Sequence, residues 1–559
     1  HAQYRTTTYC NPLNLDYTYP FHNSHLGKSY RSGADPAVVE FRGEYYMFVT
    51  RSWGYWHSKD LLNWDFITPE KWYFEGCNAP AAHNYKDSVL YVCGNPSGAM
   101  SILYTDNPKR GDWKAVPSVL HDLQDPALFI DDDERAYMYW GSSNRWPIRG
   151  KELDMKNKFL PIAKKPDSLL FLRPDIHGWE RFGENHTSDI KPFIEGAWMT
   201  KHNGKYYLQY AAPGTQFNVY GDGVYVGKSP LGPFQYAAHN PFCYKPGGFA
   251  TGAGHGSTVC GPGGIYWHFG TIHLSINYKF ERRLCMFPTF FDEDGVMYSD
   301  TYFGDYPHYS PDQVSRQTTS GGFRGWMLLS YGKPVKASSQ LESYPVENVT
   351  DENLKTFWVA GKNDDKQWVE IDLEEVSDVY ALQLNFFDYE ETGFWGRMPN
   401  LRQRYLVEAS VDGARWRVLV DYRNSFRDAP HNYIELDQPI EARYIRYRHH
   451  YVPGKNLAMG DIRVFGLGRG KKPATVKGFT VVREADERNA RISWKAVKGA
   501  QGYNVLWGVA LDKLYSSWMV YGDNSLDLRA LTVGQKYYFA IEAFNENGIS
   551  QRVFLREAH

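Results

Sequence analysis

At 559 residues the chain is longer than one hydrophobic core usually serves, so about two to four domains are expected. Its 62 Lys and Arg are offset by 64 Asp and Glu, giving a formal net charge of -2 with the two signs interspersed. That balance excludes the basic face that a nucleic-acid backbone demands, and no run of about 18 apolar residues offers a membrane span.

Aromatic residues make up 16% of the chain, with 42 Tyr and 18 Trp. Flat rings with one polar edge suit sugar faces, and they also fill antiparallel strands. The six Cys show no CxxC or zinc spacing and are too sparse to form a disulfide framework. The chain begins at His1 without a Met or an apolar signal region, which fits a processed protein secreted to the periplasm or beyond the cell. A monomer is expected.

Along the first 310 residues one theme recurs. A small polar motif opens a short apolar run, a Gly or Asp turn follows, and a Tyr-rich run closes the unit. The copies read DPAVVEFRGEYYMFV from Asp35, APAAHNYKDSVLYVCG from Ala79, DPALFIDDDERAYMYWG from Asp125, EGAWMTKHNGKYYLQYA from Glu195 and HGSTVCGPGGIYWHFG from His255. Each is a hairpin signal, and a spacing of about 45–70 residues predicts the blades of a β-propeller with insertions. Five blades are expected over residues 1–310. Inner strands of a propeller converge on its axis, so Asp35, Asp125 and Glu195, each opening a copy, are predicted to meet in one pocket. The acidic run Asp131–Glu134 reads as a hairpin turn.

Residues 142–190 form a long insertion between the third and fourth copies, able to wall off one end of the pocket. Residues 311–325 are polar and Gly-rich and read as a linker. Alternating strands over 326–467 imply a β-sandwich, and after a second linker (GLGRGKKPA from Gly466) residues 473–559 have the length of an immunoglobulin-like sandwich. The fold class is therefore all-β throughout.

Residues 30–303 resemble glycoside hydrolase family 43, the five-bladed-propeller hydrolases of arabinan, xylan and related chains. The likeness rests on ADP at Ala34–Pro36, HSKDLLNW from His57, DPALFIDDD, IEGAW from Ile194, GHGS from Gly254 and ERRLCMFP from Glu281. Carried onto these positions, it implies Asp35 as general base, Asp125 as the auxiliary carboxylate that tunes the acid's pKa, and Glu195 as general acid. It places His255 on the central axis, touching substrate or holding calcium through water, and Arg282 against the sugar. No cofactor is required, with a structural calcium as the one ion implied. Two departures stand out: the second copy has CNAPAA where an aromatic often precedes AP, and Glu281 replaces a common Gly. Residues 326–467 resemble a discoidin-like (F5/8 type C) domain, also known as a carbohydrate-binding module, through GKPVKASS, DENLKTFW, WVEIDL, SVDGARW and GDIRVFG. Residues 473–559 are similar to fibronectin type III, with Trp494 as core Trp and Tyr537 as tyrosine-corner residue.

Glycosidic hydrolysis needs a proton for the leaving oxygen and a nucleophile on the opposite sugar face. An ionised Asp35 activating water and a protonated Glu195, in an apolar setting from Phe193, Ile194 and Trp198, meet that need. Trp53 is the better candidate of Trp53 and Trp56 for a sugar platform. The expected activity is inverting and exo-acting on plant cell-wall polysaccharide, foremost as an α-L-arabinofuranosidase, then as a β-xylosidase or exo-β-galactosidase. A non-catalytic glycan-binding protein is the alternative of another class. A retaining fructan hydrolase would need a WMNDPNG-like segment, which the chain lacks.

Overall fold

A computed structural model describes residues 7–21, 27–73, 76–95, 102–117, 123–314 and 322–555. Among these, strands and short 3-10 turns account for all regular structure, with no α-helix. Among the described residues no helix is long and apolar enough to cross a membrane.

Between Ala37 and Ser299 five antiparallel sheets follow one another, four of them simple meanders and the third a meander with one added strand, Asp167–Leu170, returning to pair with Ile148–Asp154. The repeated hairpins supply them: apolar residues at alternate positions, a turn such as Arg42–Gly43, then a Tyr-rich return strand. The first strands are Ala37–Phe41, Asn78–Tyr85, Ala127–Ile130, Glu195–His202 and Thr251–Cys260. Each touches the first strand of the next sheet, and the fifth touches the first, so the ring closes as in a propeller. The strand Thr8–Tyr9 pairs antiparallel with His308–Tyr309, tying the two ends of the ring together.

Beyond the ring, an eight-stranded sheet is built on two long strands, Trp368–Phe386 and His431–Tyr451, whose register shifts near Asp372 and Val379 let one strand serve both layers. Val369, Ile371, Val379, Ile445 and Trp358 form its core. The last unit has a three-stranded and a five-stranded sheet. Trp494 and Tyr537 are both buried there, and the Tyr537 hydroxyl accepts the Thr532 N–H at 2.9 Å.

The stretches that read as linkers are partly packed. Residues 315–321 lie outside the described residues, but Phe323 stacks on Phe303 at 4.4 Å, and Phe303 meets Phe544 of the last unit at 5.0 Å. In the second linker the Gly468 N–H bonds to Glu546 O and the Gly470 N–H to Asn547 Oδ1. The insertion 142–190 also docks the last unit. Gly178 N donates to Leu531 O at 2.9 Å, Arg181 reaches Asn489 and the Arg529 carbonyl, and Arg488 Nη1 reaches Pro174 O. A Cβ at Gly178 would come within 2.4 Å of Arg529 O, so only glycine permits that approach.

A buried ion cluster joins all three units. Arg463 of the eight-stranded sheet grips Glu352 through two bonds of 2.7 and 2.8 Å and donates to the Asp305 carbonyl of the ring at 2.7 Å. Lys245 Nζ lies 2.8 Å from Asp305 Oδ2, and the Tyr521 hydroxyl of the last unit reaches Glu352. Removing one partner of such a set strands the others uncompensated in low dielectric. Arg463→Ala is expected to cost about 3–5 kcal/mol. A melt that matches the parent chain within about 1 kcal/mol would show that the cluster does not hold the units together.

Candidate active site

Five residues mark the entrances of the five first strands, and all five are left-handed: Asp35 (φ 57°), Ala79 (46°), Asp125 (49°), Gly196 (69°) and His255 (50°). In every sheet the regular ladder begins two residues later, at Ala37, Ala81, Ala127, Trp198 and Ser257. At three of these kinks the side chains of Asp35, Asp125 and His255 come together. Left-handed backbone costs an ordinary L-residue about 1–2 kcal/mol, and such strain concentrates at functional sites. By this register Glu195 sits one residue ahead of the position that Asp35 and Asp125 occupy. Gly196 takes that position because a Cβ there would lie 3.0 Å from the His255 ring.

The predicted centre assembles around His255. Its Nδ1 lies 3.2 Å from Asp35 Oδ1 and 3.8 Å from Asp125 Oδ2. Ligating atoms of Asp125, Glu195 and His255 all lie within 4.8 Å of one another. Asp35 Oδ2 accepts the Thr50 hydroxyl at 2.7 Å, and its Oδ1 is 3.9 Å from Arg282 Nη1. Asp125 accepts from Asn95 Nδ2 and the Gly196 N–H, both at 3.2 Å. Glu195 accepts the Ser142 hydroxyl at 2.9 Å on one oxygen and the Tyr220 hydroxyl at 2.8 Å on the other. Ile194 and Trp198 are buried as expected, yet it is hydroxyl groups that orient the Glu195 carboxyl.

Burial dominates the electrostatics, and neighbours decide its outcome. Burial alone would raise the Asp35 pKa, but His255, Arg282 and the Thr50 hydroxyl together bring it below the ordinary carboxylate value. Asp125 is pushed up to about 7 by burial, with Glu195 and Asp35 adding to the rise against the pull of His255. Burial works to neutralise His255, and the surrounding Asp35, Asp125, Glu195 and Asp222 overcome it, holding the imidazole toward its cation. Two acids in one cavity thus hold their protons unequally.

Support for this centre is invisible in the repeat motifs. Asp222 accepts the N–H groups of His255 and Gly256 at 2.8 and 3.0 Å and binds His268 Nε2 at 2.7 Å, anchoring the kink under His255. A lone acid between two glycines at the head of the strand Gly221–Gly227 is the available signal. Thr50, Ser142 and Tyr220 give none, being common residue types in ordinary contexts.

Arg282 is brought to the site as predicted. Besides Asp35, its Nη1 meets Thr215 Oγ1 at 3.2 Å, and its buried Nε has no partner among the described residues. Glu281 is buried and accepts the N–H groups of Ile276 and Asn277, so it shapes the turn before the Arg282 strand. Its neighbour Arg283 turns away to bond His431 of the eight-stranded sheet at 2.8 Å. Trp53 does not join the carboxylates in any contact. Its ring meets Trp395 edge-on at 5.1 Å and packs on Gly396, placing it at the seam with the second unit. Nearby Arg31 pairs with Asp428 at 2.7 Å and Tyr19 exchanges two backbone bonds with Gly396.

Calcium calls for about six to eight oxygen ligands. Here the cluster offers two carboxylates and a nitrogen, and both carboxylates already accept hydrogen bonds. The donor set does not fit direct calcium ligation. Asp131, in the acidic turn, bonds Lys201 at 2.7 Å and Tyr206, as a structural turn residue does.

Carboxylates converging on one cavity with opposed protonation tendencies are the equipment of a glycoside hydrolase. Residues 30–297 match the profile of glycosyl hydrolases family 43 and residues 334–459 that of the F5/8 type C domain. The ring is therefore a family 43 glycoside hydrolase domain, of an inverting family, followed by an F5/8 type C domain. A beta-xylosidase of Xylanibacter ruminicola is 33% identical over 202 residues, 32% of this chain and 57% of that protein. An arabinoxylan arabinofuranohydrolase of Bacillus subtilis (strain 168) is 30% identical over 189 residues, 30% of this chain and 34% of that protein. A non-reducing end alpha-L-arabinofuranosidase of Bacteroides ovatus is 25% identical over 289 residues, 47% of this chain and 50% of that protein. The chain thus spans between 34% and 57% of the length of these relatives. A solved thermostable family-43 glycoside hydrolase superposes with a TM-score of 0.44 at 20% identity, covering 54% of this chain and 99% of that one.

The unequal protons give a stability test. Asp125 ionises near 7 when folded, against 3.8 for an ordinary solvated aspartate, so its ionisation penalises the folded chain. That penalty is absent below the unfolded value, grows with pH and is complete above about 7. Asp35 runs oppositely: its contribution is present above 3.8 and is lost as pH falls through its lower folded value. Asp125→Asn cannot ionise, so the Tm difference between variant and parent should move in the variant's favour from about pH 4 to about pH 8. A difference constant with pH, or moving the other way in thermal melts, contradicts the raised Asp125 proton affinity.

Proposed function

We propose that the chain is an inverting, exo-acting glycosidase of plant cell-wall polysaccharide that meets its substrate outside the cytoplasm, foremost an α-L-arabinofuranosidase. One observation carries the reading: Asp35 is held ionised beside two cations while Asp125 and Glu195 share a cavity in which Asp125 already resists ionisation. Asp35 acts as general base, drawing a proton from the water that attacks the anomeric carbon. Glu195 delivers its proton to the leaving oxygen on the opposite face, oriented by Ser142 and Tyr220. Asp125 acts on Glu195 by charge and proximity, since two carboxyls so close do not comfortably ionise together. His255 balances the summed negative charge, and the free Nε of Arg282 is a donor for a sugar hydroxyl. No step is assigned to a metal.

The five sheets are read as the blades of a propeller, and the last unit as a fibronectin type III spacer. Seam contacts from Arg31, Tyr19 and Trp53 favour a bracing role for the F5/8 type C domain over one of sugar capture alone. A β-xylosidase is the second reading, favoured by the Xylanibacter ruminicola relative of that name.

A panel of nitrophenyl glycosides assigns the sugar, and NMR of the first-released anomer reads the stereochemistry. Asp35→Asn and Glu195→Gln should each lower kcat by about 10²–10⁴-fold with KM little changed. Turnover equal to the parent in either variant, or a product that retains its configuration, ends this reading.

A further inference from the structure

The general acid faces the part of the substrate that leaves, so whatever adjoins Glu195 on that side receives the remaining polysaccharide. Two segments flanking Glu195 converge there. Ser142 bonds its carboxyl, and the next residue, Ser143, exchanges two backbone hydrogen bonds with Ile194 at 3.0 and 3.1 Å. Next to this junction lies a groove of about 200 Å³ whose lining includes Ser143 and Ile194 together with Arg145, Trp146, Phe171 and Lys191. Its aromatic lining is left in solvent: Trp146 is 53% and Phe171 54% exposed. Single exposed apolar side chains are ordinary, but two large rings lining one groove make an apolar patch of the kind that marks a ligand-binding surface.

The groove is also one-signed. The guanidinium of Arg145 lies 4.9 Å from the centre of the Trp146 ring and that of Arg149 5.0 Å from it. Lys191 stands on the facing segment. None of these cations forms an ion pair among the described residues, and no acidic side chain is among the described residues lining the groove. Arg173 of the same insertion pairs with Asp175 at 3.0 Å, so its charge is already answered locally, whereas those at the groove are not. An aromatic wall suits a pyranose ring, and fixed guanidinium groups with a facing ammonium suit a carboxylate.

We propose that this groove, on the leaving-group side of Glu195, binds a uronic-acid residue carried by the departing polysaccharide near the scissile bond, so that the enzyme prefers side chains borne on an acidic polysaccharide. This rests on the glycosidase reading above, in which Glu195 is the acid. The uronate carboxylate meets Arg145 and Lys191, while its ring lies against Trp146 and Phe171.

The test uses the full chain and two forms of one polymer, a glucuronoarabinoxylan and the same material after chemical reduction of its carboxyls. Wild type should show kcat/KM about tenfold higher on the acidic form, an advantage shrinking as salt rises from about 0.02 M to about 0.5 M. The double variant Arg145→Gln, Lys191→Gln should erase that advantage while hydrolysing the carboxyl-reduced polymer with the parental kcat/KM. Retardation of the wild type in a gel containing polygalacturonate, lost in the double variant, reads binding without catalysis. Equal kcat/KM on the two polymers, or unchanged retardation in the variant, overturns the subsite. If wild type cleaves nitrophenyl glycosides and shows no acidic preference, only the subsite fails. If Glu195→Gln matches wild type on every substrate, it is the glycosidase reading that fails.

Discussion

The imidazole of His255 is the hinge of this molecule's chemistry. Three carboxylates drawn from separate sheets approach it, and a fourth, Asp222, holds its backbone from beneath. Without a cation in the middle, so many buried negative charges would push one another's pKa values up together, and an ionised base could not coexist with a protonated acid. With it, the nearest carboxylate, Asp35, is drawn down and a more distant one, Asp125, is left high. The unequal proton affinities of Asp35 and Asp125 follow from where one ring sits among its neighbours.

That position depends on backbone geometry more than on packing. His255 is left-handed, packs against Gly196, where an added Cβ would crowd its ring at 3.0 Å, and is followed by Gly256, whose added Cβ would strike Phe269 O at 1.9 Å. The interior of the ring supplies a frame, and the strained entrances carry the reactive groups. The same frame is tied to its neighbours by Arg463, by Arg283 and by the seam at Trp53, so the three units behave as parts of a shared interior.

Much of this is legible in the sequence because the ring repeats. Asp35, Asp125 and His255 open copies of one hairpin, and repetition exposes what a single Asp-Pro hides. Glu195 is legible too, though the hairpin pattern sets it one step out of register, since β-bulges are silent in a hydrophobic pattern. Asp222, Tyr220 and Thr50 lie on later strands or on turns, where no motif distinguishes an orienting hydroxyl from a solvated one. Trp53 shows a related ambiguity. A large aromatic near a mouth reads alike whether it faces a sugar or a neighbouring domain, and only three-dimensional contact with Trp395 separates the two.

The five left-handed entrances amount to a turret of equivalent sockets. Three carry ionisable groups, and Gly196 is barred from a side chain by the ring it touches. Ala79 alone presents a bare methyl at a position whose siblings bear an acid or a base. Its backbone already has the kink that aspartate tolerates well, and the Thr50 hydroxyl that serves Asp35 also accepts the Ala79 N–H at 2.9 Å. New chemistry could enter such a scaffold by a change at one position, with the strain it requires already in place.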